Sequence, residues 1–183
     1  MLFRINNHQA RYDAKADSLV FWCSGVDEHD DALAAVFDAF LLDLSEERQT
    51  FIRSYRLPEQ FEQELFGSAA IQEKAANQID KYKASYFFLS KARLDSRHLS
   101  AATELYLFFC DSSMRWEDFL ATSTSKAIEL VDSGLASALF ASVDQGADFW
   151  FFGDKTIENR AMQLLDGLAA FGYEVKPAYN LHL

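Results

Sequence analysis

Three aromatic-rich runs in this chain end alike, in a small residue followed by a polar one. They are Leu19-Val20-Phe21-Trp22-Cys23-Ser24, Leu105-Tyr106-Leu107-Phe108-Phe109-Cys110-Asp111 and Phe149-Trp150-Phe151-Phe152-Gly153-Asp154. Apolar runs of this length suit strands covered on both faces, and each is followed by a segment with helical spacing, which points to a parallel or mixed sheet. The expected fold is α/β: a single domain with a mostly parallel or mixed sheet of roughly three to five strands and helices on both faces. Ser24, Asp111 and Asp154 then close their strands at the carboxyl edge, where open α/β sheets bind ligands.

Spacing supplies the helices. Asp27 to Asp31 open one whose apolar residues fall at Leu33, Val36, Phe37, Phe40, Leu41 and Leu44, in steps of three and four. Ser45, with Glu46 and Glu47 behind it, reads as a fresh N-cap for a second helix, which Pro58 stops near Arg56. Residues 59–66 read as a short helix closed by Gly67, and Ser68 caps a long one through Ile71, Ala75, Ile79, Tyr82, Tyr86 and Leu89. A helical insertion at about 30–97, between the first two core strands, is therefore expected. After the second run a helix from about Trp116, open to a break at Gly134, continues to Val143. The third run leads into a helix over 155–170 closed by Gly172, and Tyr173 to Lys176 forms a last strand. This order predicts more helix than strand.

Composition removes several function classes. With 27 aromatic residues among 183, the chain has ample material for one buried core and is not a disordered segment. The net charge of −11 and the absence of a Lys/Arg cluster disfavour nucleic acid, whose phosphates require a basic stripe. No apolar run approaches the ~18 residues of a membrane span, and Met1 to Asn7 lack the apolar stretch of a signal peptide, so no membrane association and a cytoplasmic location are expected. Cys23 and Cys110 lie at strand ends without metal-type spacing, which predicts free thiols. His8, His29, His98 and His182 are scattered, unlike a metal cluster.

Asp111 and Asp154 are the sharpest chemical candidates. If their strands are adjacent and parallel, a strand spacing of ~4.8 Å brings the carboxylates to one edge, where they could share a Mg²⁺ with a phosphate ester. Ser112, Ser113 and Lys155 stand beside them, and Ser24 ends the remaining run on the same expected edge. The competing explanation is that Asp111, Ser113 and Asp154 cap the helices that follow. Phe151-Phe152-Gly153-Asp154-Lys155-Thr156 resembles a stretch of the phosphomannomutases, of the haloacid dehalogenase superfamily, and that resemblance implies an Asp154 that helps hold Mg²⁺ at a phosphotransfer site. It covers six residues, and Ile157-Glu158-Asn159-Arg160 replaces the family's glycine-rich continuation, so no family is assigned. Cys110 to Arg115 falls one residue short of the phosphate loop of Cys-dependent phosphatases.

A different signal comes from charge. Residues 16–47 hold nine carboxylates and no Lys or Arg, whereas residues 48–97 hold nine bases against six acids. A one-signed segment steers a basic partner toward it. Within it, the helical stripe centred on Leu33, Phe40 and Leu44 leaves Asp31, Ala35, Asp38 and Leu42 on the opposite side, with Asp43 adjoining. An apolar residue ringed by acids suits a protein-binding hot spot, unless neighbouring helices bury it. The leading reading is thus an acidic protein-binding module that neutralises a basic partner such as a toxin domain, in the manner of an immunity protein or antitoxin. It needs no cofactor. The alternatives are a Mg²⁺-dependent enzyme acting on a phosphorylated small molecule at the carboxyl edge of the sheet, and a helical regulatory or scaffold domain forming a homodimer through its aromatic helices.

Overall fold

All three aromatic runs are strands, and they lie in one sheet. The computed structural model describes residues 8–14, 18–24, 31–56, 71–79, 82–89, 104–122, 127–143, 148–179 and 181. Along the chain these form β1 (Gln9–Ala14), β2 (Ser18–Ser24), α1 (Asp31–Glu47), β3 (Gln49–Tyr55), β4 (Ile71–Ile79), β5 (Tyr82–Leu89) and β6 (Glu104–Cys110). The second half contributes α2 (Trp116–Ala121), α3 (Ala127–Asp132), β7 (Ala138–Val143), β8 (Asp148–Asp154), α4 (Glu158–Ala170) and β9 (Glu174–Pro177). A 3-10 turn, Lys155–Ile157, joins β8 to α4.

The sheet has nine strands in the order β4-β5-β3-β6-β7-β8-β2-β1-β9. Every neighbouring pair is antiparallel except β1 with β9. The sheet is mixed, as one of the two expected pairings had it, but nine strands with a single parallel pair correct the expected three to five strands of mostly parallel pairing, and the expected helical insertion at about 30–97 is corrected as well. Within that interval only α1 is helical among the described residues, and β3, β4 and β5 follow it. Ser45 does not restart a helix: it is buried inside α1 and donates to the Leu42 carbonyl at 2.8 Å. The stretch read as one long helix is a hairpin in which Ala75 pairs with Tyr86 and Ile79 with Tyr82. The short helix expected at 59–66 lies outside the described residues. Likewise the helix expected from Trp116 to Val143 is two shorter helices, α2 and α3, the chain turns at Gly134, at φ +74°, where a break was open, and the stretch beyond it is β7 rather than helix.

One physical reason underlies these differences. Continuous apolar runs mark a sheet buried on both faces, and that condition usually accompanies parallel strands because crossover helices provide the cover. Here an antiparallel sheet meets the same condition. One face carries Phe21, Ile52, Phe87, Leu107, Phe109, Phe140 and Phe151 beneath α1 and α4. The opposite face carries Phe51, Tyr86, Phe108, Leu139 and Phe152, with Phe119 of α2 and Leu130 of α3 packed against them. Rings dominate both layers. Phe21 stacks on Phe151 at 5.0 Å and Phe37 meets Phe149 at 5.1 Å on the first, while Phe119 lies 4.8 Å from Phe51 and 5.4 Å from Phe108 on the second. Such pairs add ~0.5–1.5 kcal/mol each beyond the area they bury. No helix among the described residues is long and apolar enough to cross a membrane.

Candidate functional site

β6 and β8 run in the same direction with β7 between them, so Asp111 and Asp154 do reach a common edge, two strand spacings apart or ~10 Å. The residue between them is Ser137, at the head of β7. Its amide donates to the Phe109 carbonyl at 2.8 Å, its carbonyl accepts from the Asp154 amide at 3.0 Å, and its hydroxyl donates to Asp111 Oδ1 at 3.3 Å. Asp154 Oδ1 accepts from the Thr156 amide at 2.9 Å and from the Thr156 hydroxyl, which is an N-cap of the 3-10 turn. Ser112 and Ser113 are exposed at the tip of a turn closed by the Met114 amide on the Asp111 carbonyl, at 3.0 Å. The Ser112 carbonyl accepts from Gln49 Nε2 at 3.3 Å, which draws the head of β3 into the same edge. Lys155 is turned toward α4, where its Nζ donates to Glu158 Oε1 at 2.7 Å. Ser24 stands elsewhere. β2 runs opposite to β8, so Ser24 pairs with Asp148 at the far edge of the sheet.

This edge is polar, and its carboxylates hold nearby hydroxyls and amides. Two oxygens bound to one Mg²⁺ lie within ~4 Å of each other, whereas an intervening strand separates these two carboxylates. Among the described residues, no group of three or more His, Cys, Asp or Glu is placed to hold a metal ion. The Cys110 thiol beside Asp111 is buried, and desolvation, with the Asp111 charge behind it, pushes its pKa up to about 12. A thiol so protonated is no nucleophile at neutral pH.

The outer face of α1 has a different character. Leu42 is 42% exposed, although Leu41 and Leu44 on either side of it are fully buried. Asp31, Ala35 and Ala39 are exposed with it, and Asp38 and Asp43 are half-buried on its flanks. Asp43, Glu46 and Glu47 crowd the carboxyl end of α1, and no basic residue lies in its last turn. Carboxylates there oppose the helix dipole. Their counter-charge comes mainly from α4: Arg160 Nε lies 2.9 Å from Asp43 Oδ2, and its Nη2 donates to Glu47 Oε1 at 2.8 Å, while Arg48 Nη1 stands 3.5 Å from Glu47 Oε2. That hydrogen bond and the guanidinium charge hold the Glu47 carboxyl below its ordinary pKa.

α1 and α4 pack antiparallel, with Val36 against Gly167 at one end and Asp43 against Arg160 at the other. At Gly167 a Cβ would lie 2.9 Å from Val36 Cγ1, so glycine permits the close approach. Toward Arg160 the small side chains of Ala35 and Ala39 leave a groove of about 590 Å³, lined also by Val36, Phe40, Asp43, Arg160, Gln163 and Leu164. Phe40 and Leu164 are buried and form its floor. Asp31, Asp38, Leu42 and Asp43 were legible as one helix face. Arg160 and Gln163 were not, because nothing in their local sequence indicates a contact with a helix more than a hundred residues away. No family model matches this sequence, and comparison with curated proteins and with solved structures finds no match.

Proposed function

We propose that this chain is a protein-binding module whose α1 face engages a basic partner, an arrangement suited to neutralising a basic domain such as a toxin. The observation that carries this reading is Leu42: an exposed leucine on a helix that contains no Lys or Arg and whose outer face bears Asp31, Asp38, Asp43 and Glu46. A large apolar side chain surrounded by carboxylates combines an anchor with an electrostatic rim. The acids raise the rate of encounter, and Leu42 slows dissociation.

The Mg²⁺-enzyme reading finds less support, since Asp154 is engaged as a cap and a strand separates it from Asp111. A homodimer through aromatic helices likewise finds less support, since the longest of those helices, expected from Ser68 to Leu89, is the β4–β5 hairpin, and the sheet edges do not invite a second copy either. β9 is short and carries Glu174, Lys176 and Pro177, while β4 exposes Gln72, Glu73 and Lys74 beside an irregular register, and both patterns discourage strand addition. The test is titration of isotope-labelled protein with a panel of small folded proteins of pI above ~9. Amide shifts should concentrate on α1, weaken steeply with salt, and disappear in Asp31→Lys/Asp38→Lys. Shifts spread evenly over the surface would overturn the reading.

A further inference from the structure

The groove between α1 and α4 has a shape and a charge that narrow the kind of element a partner would present. It runs beside Ala35, Ala39 and Asp43, a distance of ~12 Å at ~1.5 Å per residue, which is more than two helical turns. Its floor is apolar, from Phe40 and Leu164, and one wall is built of small side chains. Small residues let a third helix approach two packed ones closely. At its Arg160 end, Asp43 and Glu47 together already bind a guanidinium, at 2.9 and 2.8 Å. This is the chemistry with which a partner's arginine would be held. Exposed Glu46, within one turn of Asp43 on α1, adds a further carboxylate of the same sign. An extended polar loop would leave the apolar floor unused. A helix with an apolar face and a basic flank uses both features, and helices commonly dock into grooves in this way.

We propose that the α1–α4 groove seats an amphipathic basic helix of the partner, apolar side chains on Phe40 and Leu164, and that a partner cation replaces Arg160 on Asp43 and Glu47. Arg160 is then an internal occupant of the partner's cation site, which neutralises the acids of the free protein and is displaced on binding. The inference rests on the reading of α1 as the partner-binding face and adds the partner's secondary structure and the competing residue.

Two synthetic peptides of ~18 residues test it, long enough to form a helix on the groove. One places leucines at i, i+3, i+4 and i+7 with arginines opposite; the other scrambles that composition so that no amphipathic face forms. The full chain should bind the first about tenfold or more tightly than the second. Ala39→Trp fills the groove without altering charge and should remove that preference. Arg160→Gln frees Asp43 and leaves Glu47 with Arg48 alone, 3.5 Å away, and should strengthen binding of the amphipathic peptide severalfold at low salt, with circular dichroism confirming that each variant is folded. Equal binding of the two peptides, insensitive to Ala39→Trp but lost in Asp31→Lys/Asp38→Lys, would overturn the groove while leaving the acidic face in place. Failure of both peptides to bind would overturn the two together. Weaker binding to folded Arg160→Gln would remove the displacement of Arg160.

Discussion

Phe40 and Leu42 stand two positions apart on α1, one 6% exposed over the core and the other 42% exposed to solvent. Their removal should have opposite signatures. Phe40→Ala should cost ~3–5 kcal/mol of stability through the cavity it leaves against Phe21, Phe140 and Phe151. Leu42→Ala should change the stability of the free protein by less than ~0.5 kcal/mol. If Leu42 is an anchor, the same substitution should weaken a basic partner by ~1–2 kcal/mol, mainly through faster dissociation. Thermal unfolding of the unbound variant with kinetics of the bound one separates these effects, and a large loss of melting temperature would remove Leu42 from the binding face. The two cysteines give a second test at this scale. Burial raises both thiol pKa values, Cys110 to about 12, with Asp148 adding to the effect at Cys23. Neither should react with a disulfide reagent at pH ~8 in the folded protein, and both should react on denaturation; prompt labelling of the native chain would contradict their burial.

At the scale of elements, one arginine of α4 bridges two carboxylates of α1. The Glu47 pKa is lowered by Arg160, and that of Asp118 by Arg115 at the start of α2. A carboxyl whose pKa is lower folded than unfolded contributes stability above its unfolded pKa and loses it as pH falls through the folded one. Both pairs should therefore support the fold at neutral pH and fade below pH ~4.5. Their size is small because the carboxylates are exposed. Arg160→Gln should shrink the difference in melting temperature between pH ~7 and pH ~4, and an unchanged difference would show that the bridge adds nothing. The turn after β8 carries its own expectation. Asp154→Ala should cost ~1 kcal/mol and Asp154→Asn only a few tenths, since Asn caps nearly as well. Calorimetric titration of the parent with Mg²⁺ should be flat; a saturable heat abolished by Asp111→Asn and Asp154→Asn would restore the enzyme reading.

For the whole molecule, most pairing is between segments far apart in the chain: β3 joins β6 through Gln49 and Cys110, and β2 joins β8 through Ser18 and Asp154. Closing such loops before any contact rewards them slows folding, so refolding should take milliseconds to seconds rather than microseconds. Deconvolution of the far-ultraviolet circular dichroism spectrum should return more strand than helix, the reverse of what spacing alone implied, and a fitted helix content above the strand content would contradict the nine-stranded sheet.

The sequence by itself determined the elements whose pattern is strong within a short window. β2, β6 and β8 are long aromatic runs, α1 and α4 have unbroken helical spacing, and the acidic outer face of α1 follows from that spacing alone. The shared ending of the runs did not fix the edge: Asp111 and Asp154 share one only because β7 lies between two strands of like direction, while Ser24, with the same ending, lies at the other. Tertiary structure decided the rest. Gln49–Tyr55 begins one residue after a helix, with no Gly or Pro to announce it, and Ala138–Val143 is rich in small residues that suit a helix equally well. Each became a strand because a neighbour offered a paired backbone and a buried face, a choice that propensity does not contain. The same pairing set strand direction, which sent Ser24 to the opposite edge and placed Ser137 between the two aspartates. It also brought Arg160 to Asp43 and Glu47, because the faces of α1 and α4 meet only once both helices lie on the same sheet.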